Sequence, residues 1–150
     1  MTGILVRPVA AADRAAWRAL YRGYRDFYEQ PHDEAVYETV WGWLMDPGHE
    51  TRGLVAERRG ELLGLGHFRR FARPLSGSTG LYLDDLFTAP EARGSGAGGA
   101  ILQHLAEIAR DEGATVVRWI TAENNATARS LYDRLAAQTT WVTYDLGPAR

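Results

Sequence analysis

The chain has 150 residues, 45% of them hydrophobic and 24% charged, with a formal net charge of −2 and no cysteine; a length of this order closes one hydrophobic core without disulfides or metals. Every basic residue is arginine, so Schiff-base lysines and thiolate nucleophiles are excluded, and the slightly acidic balance speaks against binding nucleic acid by neutralising phosphates. No segment approaches the roughly 20 apolar residues of a membrane span, and residues 1–10 do not read as a secretion signal, so one cytoplasmic domain with no membrane association is expected.

Ile4 to Val9 predicts a first strand, and Asp13 is placed to cap the helix that follows. Trp17, Leu20, Tyr21, Tyr24, Phe27 and Tyr28 recur at spacings of three and four, the apolar face of that helix. Pro31 stops it, Asp33 can cap a second helix with Val36, Tyr37, Val40, Trp41 and Leu44 inward, and Asp46-Pro47-Gly48 breaks the second in turn. Leu54 to Glu57 and Leu62 to Phe71 flank Arg58-Arg59-Gly60, a hairpin pattern. Leu81 to Thr88 predicts a strand, residues 90–99 a loop, and Gly98 to Glu112 a helix closed by Gly113. Val116 to Thr121 is an almost unbroken apolar strand, expected to run parallel to the preceding one through a crossover helix. A helix over Asn125 to Leu135 and a strand over Thr139 to Leu146 complete the order. The fold class is α+β, a mixed sheet of about six to seven strands, antiparallel in its N-terminal part with one parallel β-α-β crossover, flanked by about four helices.

Charge is unevenly distributed. Asp26, Glu29, Asp33, Glu34, Glu38, Asp46 and Glu50 fall in a stretch that contains no arginine, while both flanks are arginine-rich. The stretch predicts an acidic surface, which is either a solvated helix face or a lip that attracts a cationic substrate. His32, His49, His67 and His104 have no ligand spacing, so no metal is expected. His67 is a candidate to face an acceptor groove from its strand. Tyr24, Tyr28, Trp41, Trp43 and Trp119 are either core residues or walls of that groove.

Arg93-Gly94-Ser95-Gly96-Ala97-Gly98-Gly99 leads directly into a predicted helix. Such a junction presents unpaired backbone amides and the positive end of a helix dipole, while glycines let an anion approach the main chain. The stretch therefore reads as a pyrophosphate cradle or as a flexible connection. Gly94, Gly96 and Gly99 also satisfy G-x-G-x-x-G, so a dinucleotide is a second candidate ligand, although five residues separate Thr88 from Gly94 where that fingerprint wants almost none. Asp84 and Asp85 sit side by side in a predicted strand, where aspartate is disfavoured and an unpaired buried charge is costly. They either pair with nearby arginines or serve chemistry, and both reach one pocket only if the strand is bulged there.

Arg93-x-x-Gly96-x-Gly98 resembles the Q/R-x-x-G-x-G/A loop of GNAT acetyltransferases, Leu83-Asp84-Asp85-Leu86-Phe87-Thr88 resembles the strand before that loop, and Asn125-x-x-Ala128-x-x-x-Tyr132 resembles the next motif of the family. The resemblance is closest to the histone and polyamine (diamine) acetyltransferase branch. It implies an enzyme that uses acetyl-coenzyme A. The backbone of Leu86, Phe87 and Thr88 would pair with the pantetheine arm, Arg93, Gly94, Ser95, Gly96, Ala97, Gly98 and Gly99 would hold the pyrophosphate, and Asn125, Ala128 and Tyr132 would touch the cofactor. The family's Gly-Phe after the tyrosine helix is replaced here by Leu135-Ala136-Ala137-Gln138.

An alkyl ammonium must lose a proton before it attacks a thioester, at a cost of about 4 to 5 kcal/mol at neutral pH. Alignment with the family puts Asp84 at the position of its base, and the shorter side chain favours transfer through a water. Asp85, Tyr28, Glu29 and Trp119 are assigned to binding the amine, and Tyr132 to protonating the departing thiolate. The expected acceptor is a small cationic amine, a polyamine or a lysine-like amino acid, with a protein lysine or N-terminus and a non-catalytic acetyl-coenzyme A-binding module as alternatives. A homodimer is expected from the resemblance alone.

Overall fold

A computed structural model describes residues 3–150. The chain divides into two compact units, one ending at Ile120 and one spanning Thr121–Arg150. The first holds strands β1 (Leu5–Pro8), β2 (Arg52–Arg58), β3 (Glu61–Arg73), β4 (Ser78–Thr88) and β5 (Val117–Arg118), with helices α1 (Arg14–Phe27), α2 (Glu34–Met45) and α3 (Ala97–Glu112). The second holds α4 (Ala126–Leu135). The strands form one mixed sheet in the order β1-β2-β3-β4-β5, antiparallel up to β4 and parallel between β4 and β5.

The pleat sends neighbouring residues of β3 to opposite faces. His67 packs against Trp17 of α1 on one face. Gly66 turns the other way, and a Cβ there would lie 3.1 Å from Ile101 of α3. The sheet is thus sandwiched between α1 with α2 and α3, and its fully buried side chains include Trp17, Val55, Leu65, Phe68, Leu81, Ile101 and Leu105. The β2-β3 hairpin closes through Arg59 and Gly60, both at positive φ (53° and 80°), the two-residue turn whose twist matches its strands.

Three expectations are corrected. Among the described residues the sheet has five strands, not six to seven. Residues 139–146, expected as a strand, carry no regular structure and are exposed; threonine, tryptophan and valine favour strands only where an edge is available to pair with. The parallel strand expected over 116–121 shrinks to Val117–Arg118, because β4 pairs with β5 only at Leu81 and Tyr82. Asp13 also acts differently. Its side chain makes no bond into α1; it takes a two-pronged ion pair from Arg7 at 2.7 and 2.9 Å and a hydrogen bond from the Ala10 amide at 2.7 Å, tying β1 to the start of the helix.

Candidate active site

The glycine loop is built by backbone conformation. A short 3-10 turn over Pro90–Ala92 leads from β4 into it, and α3 begins at Ala97. Gly94 and Gly96 adopt φ of 82° and 93°, the left-handed region that only glycine enters without strain. Gly96 is the N-cap, its carbonyl accepting from Ala100 at 3.0 Å, and Ser95 Oγ accepts from the Ala97 amide at 3.3 Å. Gly98 and Gly99 occupy the first turn of a 16-residue helix, where amides have no intrahelical acceptor and the dipole is positive. Arg93 is exposed beside them, its guanidinium 5.9 Å from the Phe27 ring centre. Amide donors, a helix N-terminus and an arginine together form a donor set suited to a diphosphate.

Leu86, Phe87 and Thr88 pair with Gly66, Leu65 and Gly64 of β3. Beyond Tyr82, no strand among the described residues pairs with the other edge of β4, and an unpaired strand edge is the kind of backbone that can take an extended polar ligand. The Phe87 side chain is buried against α1, where a Cβ at Gly23 would come within 3.0 Å of its ring.

The two aspartates meet because β4 is bulged. His67 of β3 opposes Asp85 and Phe68 opposes Leu83, so Asp84 is the extra residue, and both carboxylates line one pocket of about 230 Å³. That pocket also contains Tyr21, Trp43, Glu50, His67 and Arg69. Asp84 pairs with Arg69 Nε at 3.1 Å. Burial raises its pKa; Arg69 pulls the other way, the neighbouring Asp85 charge adds to burial, and the net shift is upward. For Asp85 burial acts upward; the His67 hydrogen bond, the attraction that a charged His67 would add, and hydrogen bonds from the tyrosines act downward, and the net shift is downward. Its Oδ2 accepts from His67 Nδ1 at 2.8 Å and from the Tyr21 hydroxyl at 3.3 Å. Burial first, and then the Asp85 charge, push the Tyr21 and Tyr24 hydroxyls above the ordinary phenol range, so both remain donors. Two adjacent carboxyls driven apart in this way suit opposite tasks, one exchanging a proton and one staying charged.

The remaining predicted residues are scattered. Tyr28 lines a second pocket of about 290 Å³ with Tyr24, Arg25 and Gln30, and Tyr21 is the wall common to both pockets. Glu29 lines neither. It is the left-handed residue (φ 55°) that ends α1, with the Gln30 amide donating back to the Arg25 carbonyl at 2.8 Å. Trp119 is half-buried just after β5. In the second unit Asn125 caps α4 through a bond from the Ala128 amide to its Oδ1 at 3.3 Å, and Ala128 and Tyr132 lie one turn apart on the same helix face. Part of the expected acidic surface is paired. Glu38 pairs with Arg14 at 2.6 Å, Glu34 pairs with Arg18, Asp26 pairs with His32, and Asp33 caps α2. Only Glu50 of that stretch lines the carboxylate pocket.

A helix entrance shaped for a diphosphate, an open strand edge leading from it and a pocket with a paired acid and anion define a group-transfer enzyme with a nucleotide-bearing donor. Residues 17–137 match the acetyltransferase (GNAT) family, and the chain belongs to that family: it is an acetyl-coenzyme A-dependent N-acetyltransferase. It is 33% identical over 129 residues to the uncharacterized N-acetyltransferase YhfO of Bacillus subtilis, 86% of each chain being covered. It is 26% identical to the D-amino-acid N-acetyltransferase HPA3 of Saccharomyces cerevisiae, over 94% of this chain and 89% of that one. A thialysine N-epsilon-acetyltransferase of Bos taurus is 40% identical, but over only 39% of this chain and 34% of its own. In fold the chain is similar to AAC(6')-Iy in complex with a coenzyme A bisubstrate analogue, with a TM-score of 0.82 at 13% identity over 97% and 99% of the two chains. Membership fixes the donor, and the dinucleotide reading of the glycines falls. The thialysine match covers 39% of this chain, whereas the matches to YhfO and HPA3 cover 86% and 94% of it.

Proposed function

We propose that the chain acetylates a primary amine of a small cationic acceptor, a polyamine or a lysine-like amino acid, by direct transfer with both substrates bound. The observation that carries this reading is the pocket in which Glu50, Asp84 and Asp85 face a single arginine, Arg69, because an excess of carboxylates over arginines in one recess favours a cation.

Bound acetyl-coenzyme A supplies the acyl group as a thioester. Backbone amides of the 93–99 loop and the Arg93 guanidinium would hold its pyrophosphate, the strand edge at Leu86, Phe87 and Thr88 would receive its arm, and the family motif assigns Asn125 and Ala128 to the coenzyme as well. Asp85 holds the ammonium of the acceptor. Asp84 takes one proton from it through a water, freeing the nitrogen lone pair to attack the thioester carbonyl. The family motif assigns Tyr132 to give a proton to the sulfur as the carbon–sulfur bond breaks, and the second proton, shed by the nitrogen as the amide forms, would restore the phenol. Tyr28, Glu29 and Trp119 remain candidates for the outer part of the acceptor path.

The test is an acetylation assay over polyamines, lysine-like amino acids, D-amino acids and basic peptides, with the wild type and Tyr132→Phe. Turnover on a diamine or lysine analogue, lost in Tyr132→Phe with cofactor binding kept, supports the reading. Turnover confined to peptides selects the protein-acetylating alternative, and binding without turnover on any amine selects the regulatory module. D-amino acids are included because HPA3 carries that activity in its name. We also propose a homodimer, supported by the exposed Trp141, Val142, Tyr144 and Leu146 of the second unit, a row of apolar side chains that a second copy would cover. Light scattering on the full chain tests it, and a monomer at tens of micromolar refutes it.

A further inference from the structure

The sheet face under α1 buries a titratable side chain that the proposed chemistry leaves unused. His67 is 2% exposed, at the inner end of the carboxylate pocket. Its Nε2 lies 2.9 Å from the indole Nε1 of Trp17, itself 1% exposed, and its Nδ1 lies 2.8 Å from Asp85 Oδ2. An indole N–H can only donate. Nε2 must therefore accept, which leaves the single ring proton on Nδ1, where it donates to Asp85. The Tyr21 ring stands edge-on to the imidazole at 4.9 Å and contributes its own hydroxyl to the same carboxylate oxygen.

We propose that Trp17 and His67 are positioning residues for the acceptor amine: the indole locks His67 in its Nδ1-protonated, uncharged form, so that Asp85 is aimed into the pocket as an anion that no neighbouring imidazolium neutralises. This rests on the reading of Asp85 as the ammonium anchor. A carboxylate offers about four acceptor positions; His67 and Tyr21 both bond to Oδ2, which leaves acceptor positions for the substrate. Protonating Nε2 would set two N–H groups against each other in the core and place a cation beside the site meant for a cation. The charged and titratable groups around His67 are Asp85 and Asp84 on β4, Tyr21 on α1, Arg69 on its own strand and Glu50 across the pocket.

Nitrogen NMR of the histidine side chains in the wild-type protein reads the tautomer without any assay of activity, the His67 signals being assigned by their loss in His67→Asn. The expected result is Nδ1 protonated and Nε2 unprotonated throughout about pH 5 to 8. Trp17→Phe frees Nε2 to take a proton, so its His67 signal should titrate in the ordinary histidine range, and KM for the amine should rise about tenfold on acidification through that range while KM for acetyl-coenzyme A stays level. His67→Asn can still donate to Asp85 and should keep most amine affinity, whereas His67→Leu should lose about tenfold. An Nε2-protonated ring, or a wild-type His67 that titrates like that of Trp17→Phe, overturns the lock. An Asp85→Asn enzyme with unchanged KM for the amine, alongside the expected tautomer, refutes instead the anchor on which the inference stands.

Discussion

In the proposed reaction the glycine loop and the carboxylate pocket work by different means. The loop offers main-chain amides from one continuous segment, Arg93 to Gly99, in which those of Arg93, Ser95 and Ala97 are already bonded to Pro90, Ala92 and Ser95, and its geometry follows from local conformation: two glycines at positive φ and a helix start. The pocket uses side chains from five separate segments, with Tyr21 from α1, Trp43 from α2, Glu50 from the loop before β2, His67 and Arg69 from β3, and Asp84 and Asp85 from β4. A backbone site tolerates side-chain replacement and fails when conformation changes. A side-chain site keeps its fold under mild replacement and fails when one charge is lost.

That contrast can be broken at either region. Asp84→Asn should have the largest effect, lowering kcat by about 10² to 10⁴ while leaving acetyl-coenzyme A affinity unchanged; steady-state kinetics with calorimetry of cofactor binding checks both halves. Gly96→Val forces a β-branched residue to φ 93°, and should weaken cofactor affinity about 30-fold or more and stability by about 1 to 2 kcal/mol. The amine KM in that variant, measured at saturating cofactor, should stay near wild type, and a matching rise there would show that the two regions are not separable.

Arg69→Gln sharpens the pocket side. Arg69 holds the Asp84 pKa down against burial and the Asp85 charge, so its removal should move the acid limb of the kcat/KM profile to higher pH. Activity near pH 6 should fall several-fold, with less change above pH 8, on an estimate of about one pKa unit per lost partner. Stability should vary with pH through Asp13 and Asp85, whose folded pKa values lie below the ordinary one, for Asp13 chiefly because of the Arg7 hydrogen bond and for Asp85 because hydrogen bonds from His67 and the tyrosines overcome burial. Their contribution is present above the unfolded aspartate value of about 3.9 and is lost as pH falls through the folded values. Denaturant midpoints should therefore drop below about pH 4, and less steeply in Asp13→Asn. The smallest effect is expected away from both regions: Glu29→Gly relieves the left-handed residue at the end of α1 and should stabilise by about 0.5 to 1 kcal/mol, with turnover unchanged if Glu29 has no part in binding the amine.

Legibility in the sequence followed the range of the interactions. The order of α1, α2, the β2-β3 hairpin, β4 and α3 was readable because each rests on local periodicity, a cap or a turn. Residues 139–146 were misread because strand propensity names a preference and not a partner. The bulge at Asp84 was readable only as a condition, since the residues require it for a joint role but do not compel it; register with β3 decided it. His67 stood out as a histidine on a buried strand, yet its two partners lie 50 and 18 residues away in sequence, and nothing in the spacing couples them. Glu50 was hidden inside an acidic stretch of seven carboxylates, and nothing in the spacing separates it from Glu34 and Glu38, which pair with Arg18 and Arg14.

By itself, then, the sequence determined the backbone site: glycines, a helix start and the strand before it are adjacent along the chain, so a short window contains all the physics that shapes them. Only the tertiary structure decided the charge states of the pocket, because whether a carboxyl is pushed up or down depends on burial and on donors brought in from α1 and β3 across the sheet.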